Sequence, residues 1–349
     1  MFFKSGPWYI GDKVQDIDLF IAGIKVPDYV KRLPRGFKDF KFWKASELRA
    51  FLLFYSLPIF KQYLLPDNYY EHWFLLVASI SIFLKDSISE DDINAAEIML
   101  RSFVRDVGLL YGEVCYTYNV HTLLHLPLLV KRWGPLWATS AFAFESFNGF
   151  IADHVHGTKH LGKELINNIK ISQSVAVLDN IVNCPSLELV RTPHLSINVL
   201  LGKRLHLNCL SNEEKLVLNS CNVLGSYVLH RRAKLMDKQI YTTKSYDDNK
   251  KRANSFIQFR SCDNERLMYG QALFFVKAGN ATLHCLVKTF KVIHVNLLFH
   301  QQSRYVLRNL LPVEDSGELI VIPVQCILMK VLKIGTYLGK SPNSYEVNL

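Results

Sequence analysis

Five of the twelve histidines of the chain lie within residues 118–160, where imidazole groups could bind a metal or transfer protons. His121 and His125 are four residues apart, a spacing that puts two side chains on one face of a helix. Together with His154 or His156 they would supply three or four ligands for zinc. The intervening residues are apolar and lack the glutamate of a metalloprotease motif. The favoured interpretation is therefore a set of hydrogen-bonded histidines in the protein core.

Glu145 is the single acid in the run from Ala141 to Phe150, which is rich in apolar and aromatic residues. A carboxylate in apolar surroundings costs free energy unless it is paired, hydrogen-bonded or bound to a metal. Glu145 is therefore a candidate functional residue. The alternative is an acid that stabilises a helix N-terminus or faces a basic neighbour.

Two short basic clusters flank a polar spacer and could contact phosphate groups. Their residues are Arg231, Arg232 and Lys234 in the first cluster, and Lys250, Lys251 and Arg252 in the second. The net charge of +10 supports a polyanion partner, because residues 1–200 carry 20 basic and 20 acidic residues whereas residues 201–349 carry 21 and 11. The clusters suit a bipartite nuclear import signal or a DNA contact, and a solvated linker is an equal alternative.

The elements that would position these residues form an α+β chain, with an all-helical N-terminal domain followed by a small β-barrel or sandwich. The predicted segments are an N-terminal linker over 1–42, a helical domain over 43–180, a helical connector and basic flexible linker over 181–254, and a β-domain over 255–349. The longest predominantly apolar run, 73–84, which is interrupted by Ser79 and Ser81, is too short to span a bilayer, so it predicts a buried helix and no membrane segment.

Helix signals in the sequence are clearest where a capping residue precedes a periodic apolar pattern. Ser89 and Ser211 predict two such starts, the second for a helix reaching Leu229. A helix that begins near Trp43 is expected to break near Pro58. Further helices are predicted over 69–84, from Asn119 to before Gly134, and from Phe142 to Val155, and strands over 255–260, 267–277, 282–295, 305–311 and 319–332.

Several blocks of residues resemble, in order, the C-terminal region of CACTA-type (En/Spm-like) DNA transposases and their domesticated relatives. The matching blocks are 43–49, 52–58, 65–70, 110–112, 118–126, 134–149 and 156–158. The resemblance covers residues 16 to about 170 and extends weakly to the tail, where 321–324 and 337–346 are similar to the β region of the same proteins.

The resemblance implies an RNase-H-like fold in which two aspartates and a final glutamate hold two divalent ions, Mg²⁺ or Mn²⁺. On the matching motif, Glu145 takes the place of the third acid. His121 takes the place of a structural histidine in a helical insertion, and His125, Trp137 and His156 belong to the same structural motif.

Two of the three acids implied by the resemblance are missing, because only 42 residues precede the block at Trp43 and they contain no matching aspartate segment. Asp12, Asp16 and Asp18 lie where there is no room for a five-stranded sheet. The sequence therefore predicts a nuclear, transposase-derived protein that is inactive alone, has no cofactor of its own, and binds DNA through the basic linker or proteins through the β-domain. The alternative is the C-terminal part of an active two-metal transposase whose aspartates lie upstream.

Overall fold

The computed structural model describes most of the chain, including every sequence-predicted site residue. The described residues are 6–62, 66–157, 160–182, 198–220, 228–235, 239–262, 265–277, 283–293, 298–300, 303–305, 310–334 and 344–347. Among the described helices, none is both long and apolar enough to cross a membrane.

Helices fill the first half of the described chain. They are α1 (Val14–Gly23), α2 (Ala45–Ala50), α3 (Ser56–Gln62), α4 (Asp67–Phe83), α5 (Glu90–Tyr111), α6 (Tyr118–Thr122), α7 (Leu126–Trp133), α8 (Phe142–Asp153) and α9 (Leu161–Val182), with α10 (Asn212–Ser220) and α11 (Lys244–Asp247) following later. Helix α4 contains most of the long apolar run and buries Leu75, Val77 and Phe83, so the prediction of a buried helix there is confirmed.

Antiparallel strands form most of the second half. They are β1 (Val199–Leu201), β2 (Val228–His230), β3 (Arg232–Lys234), β4 (Ile240–Thr242), β5 (Phe256–Arg260), β6 (Leu267–Lys277), β7 (Leu283–Val292), β8 (Leu298–His300), β9 (Ser303–Tyr305), β10 (Leu310–Pro323), β11 (Ile327–Lys330), β12 (Leu332–Ile334) and β13 (Ser344–Val347). The helical first half and the antiparallel second half confirm the predicted α+β class.

The main sheet has the strand order β11-β5-β6-β7-β10-β13-β12, and β2 pairs with the second half of β6. Its two edge strands, β11 and β12, are separated along the chain by Val331 alone. The sheet must therefore curl until its edges approach each other, as in a barrel. A smaller sheet has the order β1-β3-β4, and β8 pairs with β9.

The helical core is continuous with one edge of the main sheet. Helices α1, α4 and α5 bury Ile17, Phe20, Met99 and their neighbours in one apolar cluster, and Leu332 of β12 lies in the same cluster with less than 1% of its surface exposed. Removing that much apolar surface from water is the dominant favourable contribution to folding. The helical and β regions consequently share a core.

The two predicted helix caps are confirmed by their hydrogen bonds. The Ser89 hydroxyl accepts the backbone N–H of Asp92 at 3.1 Å, and the Ser211 hydroxyl accepts that of Glu214 at the same distance. In each case the acidic side chain in turn accepts a hydrogen bond from the backbone N–H of the serine. Such reciprocal caps satisfy donors that have no partner inside the helix.

The predicted break at Pro58 is wrong, because the chain stays helical through this residue. A π-helical turn, Phe51–Tyr55, joins α2 to α3. Proline has no N–H to donate to the carbonyl four residues earlier, and a widened turn accommodates its ring without ending the helix. The helix predicted from Ser211 to Leu229 is also too long, since α10 ends at Ser220 and Leu229 lies in β2.

The N-terminal linker predicted over 1–42 is instead partly helical and packed. Helix α1 buries Ile17, Phe20 and Ile21, whose spacing of three and four residues forms one apolar stripe. Val26, which follows the helix, is also fully buried. The stripe covers only one short helix. The prolines and the glycine that follow it in the sequence indicate a linker more strongly than this short pattern indicates a helix.

Candidate nucleic-acid interface

The two basic clusters meet at the ring of Tyr246 in α11. The Arg232 guanidinium lies 5.2 Å from the ring centroid and the Lys250 ammonium lies 5.6 Å from it. These distances are typical of cation–π contacts, in which a cation is attracted to the electron-rich face of an aromatic ring. Side chains that are far apart in the sequence therefore form one surface.

Asp247 holds this segment in place through three hydrogen bonds. Its buried carboxylate accepts the Thr242 hydroxyl at 2.7 Å and the backbone N–H groups of Asn254 and Ser255 at 2.9 Å each. Burial raises the pKa of Asp247, and these hydrogen bonds act in the opposite direction. The prediction of a flexible linker here is wrong, because composition does not reveal that one acid organises the polar residues around it.

A second set of contacts fixes the segment to the N-terminal region. The Lys25 ammonium donates to the carbonyl oxygens of Asp247 and Asp248 at 2.9 and 2.8 Å. Val26 forms a parallel β-bridge with Arg252, and the Asp28 N–H donates to the Asn254 side chain at 2.9 Å. We call these contacts, together with those of Lys330 described below, the α–β interface.

Arg252 belongs to the α–β interface and is not available for phosphate. Its guanidinium donates to the carbonyl oxygens of Pro27 at 2.8 Å, Val30 at 2.5 Å and Lys31 at 3.1 Å. The predicted nucleic-acid contact at Arg252 is therefore replaced by a structural one, since its planar donors already have backbone partners.

The other residues of the two clusters remain accessible. Arg231, Lys234, Lys250 and Lys251 are exposed, and Arg232 is half-buried. Among nearby acids, Asp247 is buried and Asp248 is paired with Lys244 at 3.3 Å. The surface around Tyr246 is consequently basic.

Lys203 and Arg204 extend this surface, although the sequence did not single them out. They are exposed and lie between two antiparallel pairings, Leu201 with Arg232 and Leu205 with Leu229. This register puts them opposite Arg231. Only the strand pairing shows that these two residues lie close to Arg231. In the sequence alone, two adjacent basic residues are a weak indication of a binding site.

Glu145 lies on the exposed side of α8. Its side chain is exposed, and its neighbours Phe144 and Phe147 are 73% and 54% exposed. This carboxylate does not lie in costly apolar surroundings, because the aromatic residues beside it in sequence also face outwards. Within the described chain, no group of three or more metal-ligating side chains is found at Glu145 or elsewhere.

The histidines form a pair and not a four-residue cluster. The rings of His121 and His125 are 5.3 Å apart between centroids, and both are exposed, so the interpretation as core histidines is wrong. His154 instead bonds to the Phe150 carbonyl at 2.7 Å and the Ser172 hydroxyl at 2.9 Å, and His156 is exposed. Trp137, from the same predicted motif, is half-exposed in the turn after α7.

The site thus consists of exposed cations around a tyrosine, supported by a buried aspartate and by backbone contacts to the N-terminal region. Comparison with protein-family models and with curated proteins gave no match.

Proposed function

We propose that this chain is a transposase-derived nuclear protein that binds DNA without cutting it. The observation that supports this function best is the convergence of the two basic clusters on Tyr246. We define the basic surface by its residues, which are Lys203, Arg204, Arg231, Arg232, Lys234, Lys250 and Lys251. Fixed cations of this number suit the regular negative charge of a phosphate backbone.

The proposal that this chain binds DNA without cutting it rests on its acidic residues. Two-metal phosphodiester chemistry needs several carboxylates to hold both ions at the attacking and leaving oxygens. Glu145 is exposed and belongs to no metal-ligating group among the described residues. The proposed activity is recognition of the DNA backbone.

The first experiment measures affinity for duplex DNA against salt concentration by fluorescence anisotropy. Each phosphate contact contributes about −0.9 to the slope of log K against log salt, so about five contacts should give a slope of roughly −4 to −5. Neutralising four exposed cations of the two clusters together (R231Q, K234Q, K250Q and K251Q) should weaken binding by about tenfold or more and flatten the slope.

A matched control removes four exposed cations from the helical region, with the substitutions K41Q, R132Q, K163Q and K170Q. This variant has the same net charge as the first one, so it should retain the wild-type slope if the basic surface makes the contacts. Equal binding by the wild type and the basic-surface variant would show that DNA is not bound there.

A second candidate function is favoured by the exposed apolar faces of α8 and α9. Side chains on these helices that are more than half exposed include Phe144, Phe147, Ile166, Ile171, Val175 and Leu178. Apolar surface of this extent is typical of a binding face. In the alternative proposal, an upstream RNase-H-like segment with two catalytic aspartates covers it and completes an active transposase.

Mapping the 5′ end of the transcript tests this alternative. It predicts an upstream in-frame segment with two aspartates at strand ends, and coexpression of that segment should slow amide hydrogen exchange in α8 and α9. A transcript without such a segment removes the alternative and leaves the binding function.

A further inference from the structure

A cavity of about 530 Å³ lies between the N-terminal segment, the helical turns around α2 and the first turns of α8. Six of its eighteen lining residues are aromatic, which are Tyr29, Trp43, Phe51, Phe54, Tyr55 and Phe142. This volume is within the range of pockets that bind small molecules. The cavity is not part of the basic surface, and none of its residues was predicted to form a site.

The aromatic wall is fixed by its own packing. The Trp43 ring lies 5.4 Å from that of Phe37 and 5.5 Å from that of Phe51, and its indole N–H donates to the Gly36 carbonyl at 3.2 Å. A side chain at Gly36 would collide with Asp18, since a Cβ atom there would lie 2.6 Å from the carboxyl carbon. The wall is therefore formed before any ligand arrives.

The π-helical turn builds the adjoining part of the wall. Phe51, Phe54 and Tyr55 all lie in this turn and all line the cavity. Their spacing of three and four residues puts all three side chains on the same side of this helical segment. The turn before Pro58 is thus linked to the shape of the pocket.

The charged residues around the cavity leave an excess of positive charge. Four cations line it, which are Lys31, Arg32, Arg35 and Arg49, against the single acid Glu47. Arg35 neutralises Glu47 through two hydrogen bonds of 2.7 and 2.8 Å, which lower the pKa of this carboxyl group. Lys31, Arg32 and Arg49 are exposed and form no ion pair with other described residues.

Aromatic walls with a cationic rim match a planar, anionic ligand. Nucleobases stack favourably on aromatic side chains, and phosphate pairs with arginine and lysine. A base that is paired and stacked inside a duplex cannot insert into a pocket of this kind, whereas an unpaired base can. The rim also adjoins the basic surface, because Arg252 binds the Lys31 carbonyl and follows Lys250 and Lys251 in the chain.

We propose that this cavity binds one unpaired nucleotide of a nucleic-acid strand. The base lies against Trp43 and its aromatic neighbours, and the phosphate pairs with Lys31, Arg32 and Arg49. The proposal rests on the proposed function, since the strand reaches the cavity from the basic surface. It deepens that function by assigning the protein a preference for DNA with an unpaired end over a blunt duplex.

The test compares binding of three probes by fluorescence anisotropy at one salt concentration. They are a blunt DNA duplex, the same duplex with a short unpaired 3′ extension, and a single strand offered as DNA and as RNA. Ser46 lines the cavity and is exposed, so S46W should fill the cavity without disturbing the core. We expect the extension to tighten wild-type binding by about tenfold and S46W to remove this gain.

Two further variants keep the result interpretable. R49E reverses an exposed rim charge and should have the same effect as S46W, whether or not S46W folds as well as the wild type. S174W introduces the same bulk at an exposed position of α9 and should bind every probe like the wild type. Thermal unfolding of each variant checks that it is folded.

The outcomes separate the two proposals. In one outcome, each variant binds the extended duplex no more tightly than the blunt duplex, and only the basic-surface variant binds both of them weakly. This outcome overturns the cavity proposal and supports the DNA-binding function. If S46W and R49E lose the single strand while the basic-surface variant binds duplex like the wild type, the cavity proposal stands and the basic surface is overturned. Single strands bound equally by wild type, S46W and R49E also overturn the cavity proposal.

Discussion

In two regions of this molecule the structure is the opposite of what the amino-acid composition indicates. Residues 239–254 are polar and charged, yet they are held by a buried aspartate and by the α–β interface. Helices α8 and α9 are rich in apolar residues, yet many of these are exposed. A polar segment is thus ordered when its polar groups find partners, and an apolar helix is buried only when another surface covers it.

The largest expected effect is on the ordered polar segment. D247A leaves the N–H groups of Asn254 and Ser255 and the Thr242 hydroxyl without their acceptor, in a place from which water is excluded. We expect the free energy of unfolding to fall by about 3 kcal/mol, measured by urea denaturation. D248A is the matched control, because Asp248 is exposed, and a loss of similar size in both variants would contradict the role of Asp247.

A somewhat smaller effect is expected at Lys330, the buried cation of the α–β interface. Its ammonium pairs with Asp28 at 2.7 Å and lies 5.2 Å from the Tyr241 ring centroid, while its carbonyl accepts the Tyr29 hydroxyl at 3.1 Å. D28A leaves a buried charge without its partner and should cost about 2 kcal/mol, since Asp28 itself is partly exposed. K330M removes the charge and should cost less, so the reverse order in chemical denaturation would contradict this account.

A pH effect tests the helical core beside the interface. His72 is buried against Phe103 and bonds to its carbonyl at 2.8 Å, and burial lowers the pKa of this imidazole. The neutral form is thus favoured in the folded state, and the contribution of His72 to stability should be complete above the pKa of an unfolded histidine, about 6.5, and decline as pH falls below it. Urea unfolding at pH 7.5 and 5.5 measures this decline, which H72Q should reduce.

The smallest effect is expected on the apolar region. Replacing Phe144 and Phe147 by glutamine should change the free energy of unfolding by less than about 0.5 kcal/mol, because both side chains are largely exposed. The loss of several kcal/mol in thermal or urea unfolding would mean that another surface covers α8 in the folded protein.

Local signals in the sequence predicted much of the fold. The capping serines Ser89 and Ser211, and the β-branched and aromatic run that became β6, depend on residues within a few positions of one another. The π-helical turn before Pro58 was missed because a proline signal does not distinguish a break from a widened turn. The α–β interface was missed because it joins residues more than 220 positions apart, such as Lys25 and Asp247.

The candidate site was predicted only in part. The composition identified the basic residues, and their convergence on Tyr246 follows from strand pairing and from Asp247, which no local pattern reveals. In the sequence, Arg252 is as good a candidate for a phosphate contact as Lys251. In the structure, its guanidinium donates to backbone carbonyl oxygens instead. Glu145 was expected in apolar surroundings because its sequence neighbours are aromatic, and they turned outwards together with it.

The α–β interface also sets an order for biosynthesis. Lys31 is synthesised long before Arg252, whose guanidinium holds the backbone at Val30 and Lys31. At typical rates of translation the interval between them is about 10–40 s. The rim of the aromatic cavity therefore stays incomplete on the ribosome until the basic segment has emerged, so a nascent chain acquires both surfaces only after Arg252 has left the ribosome.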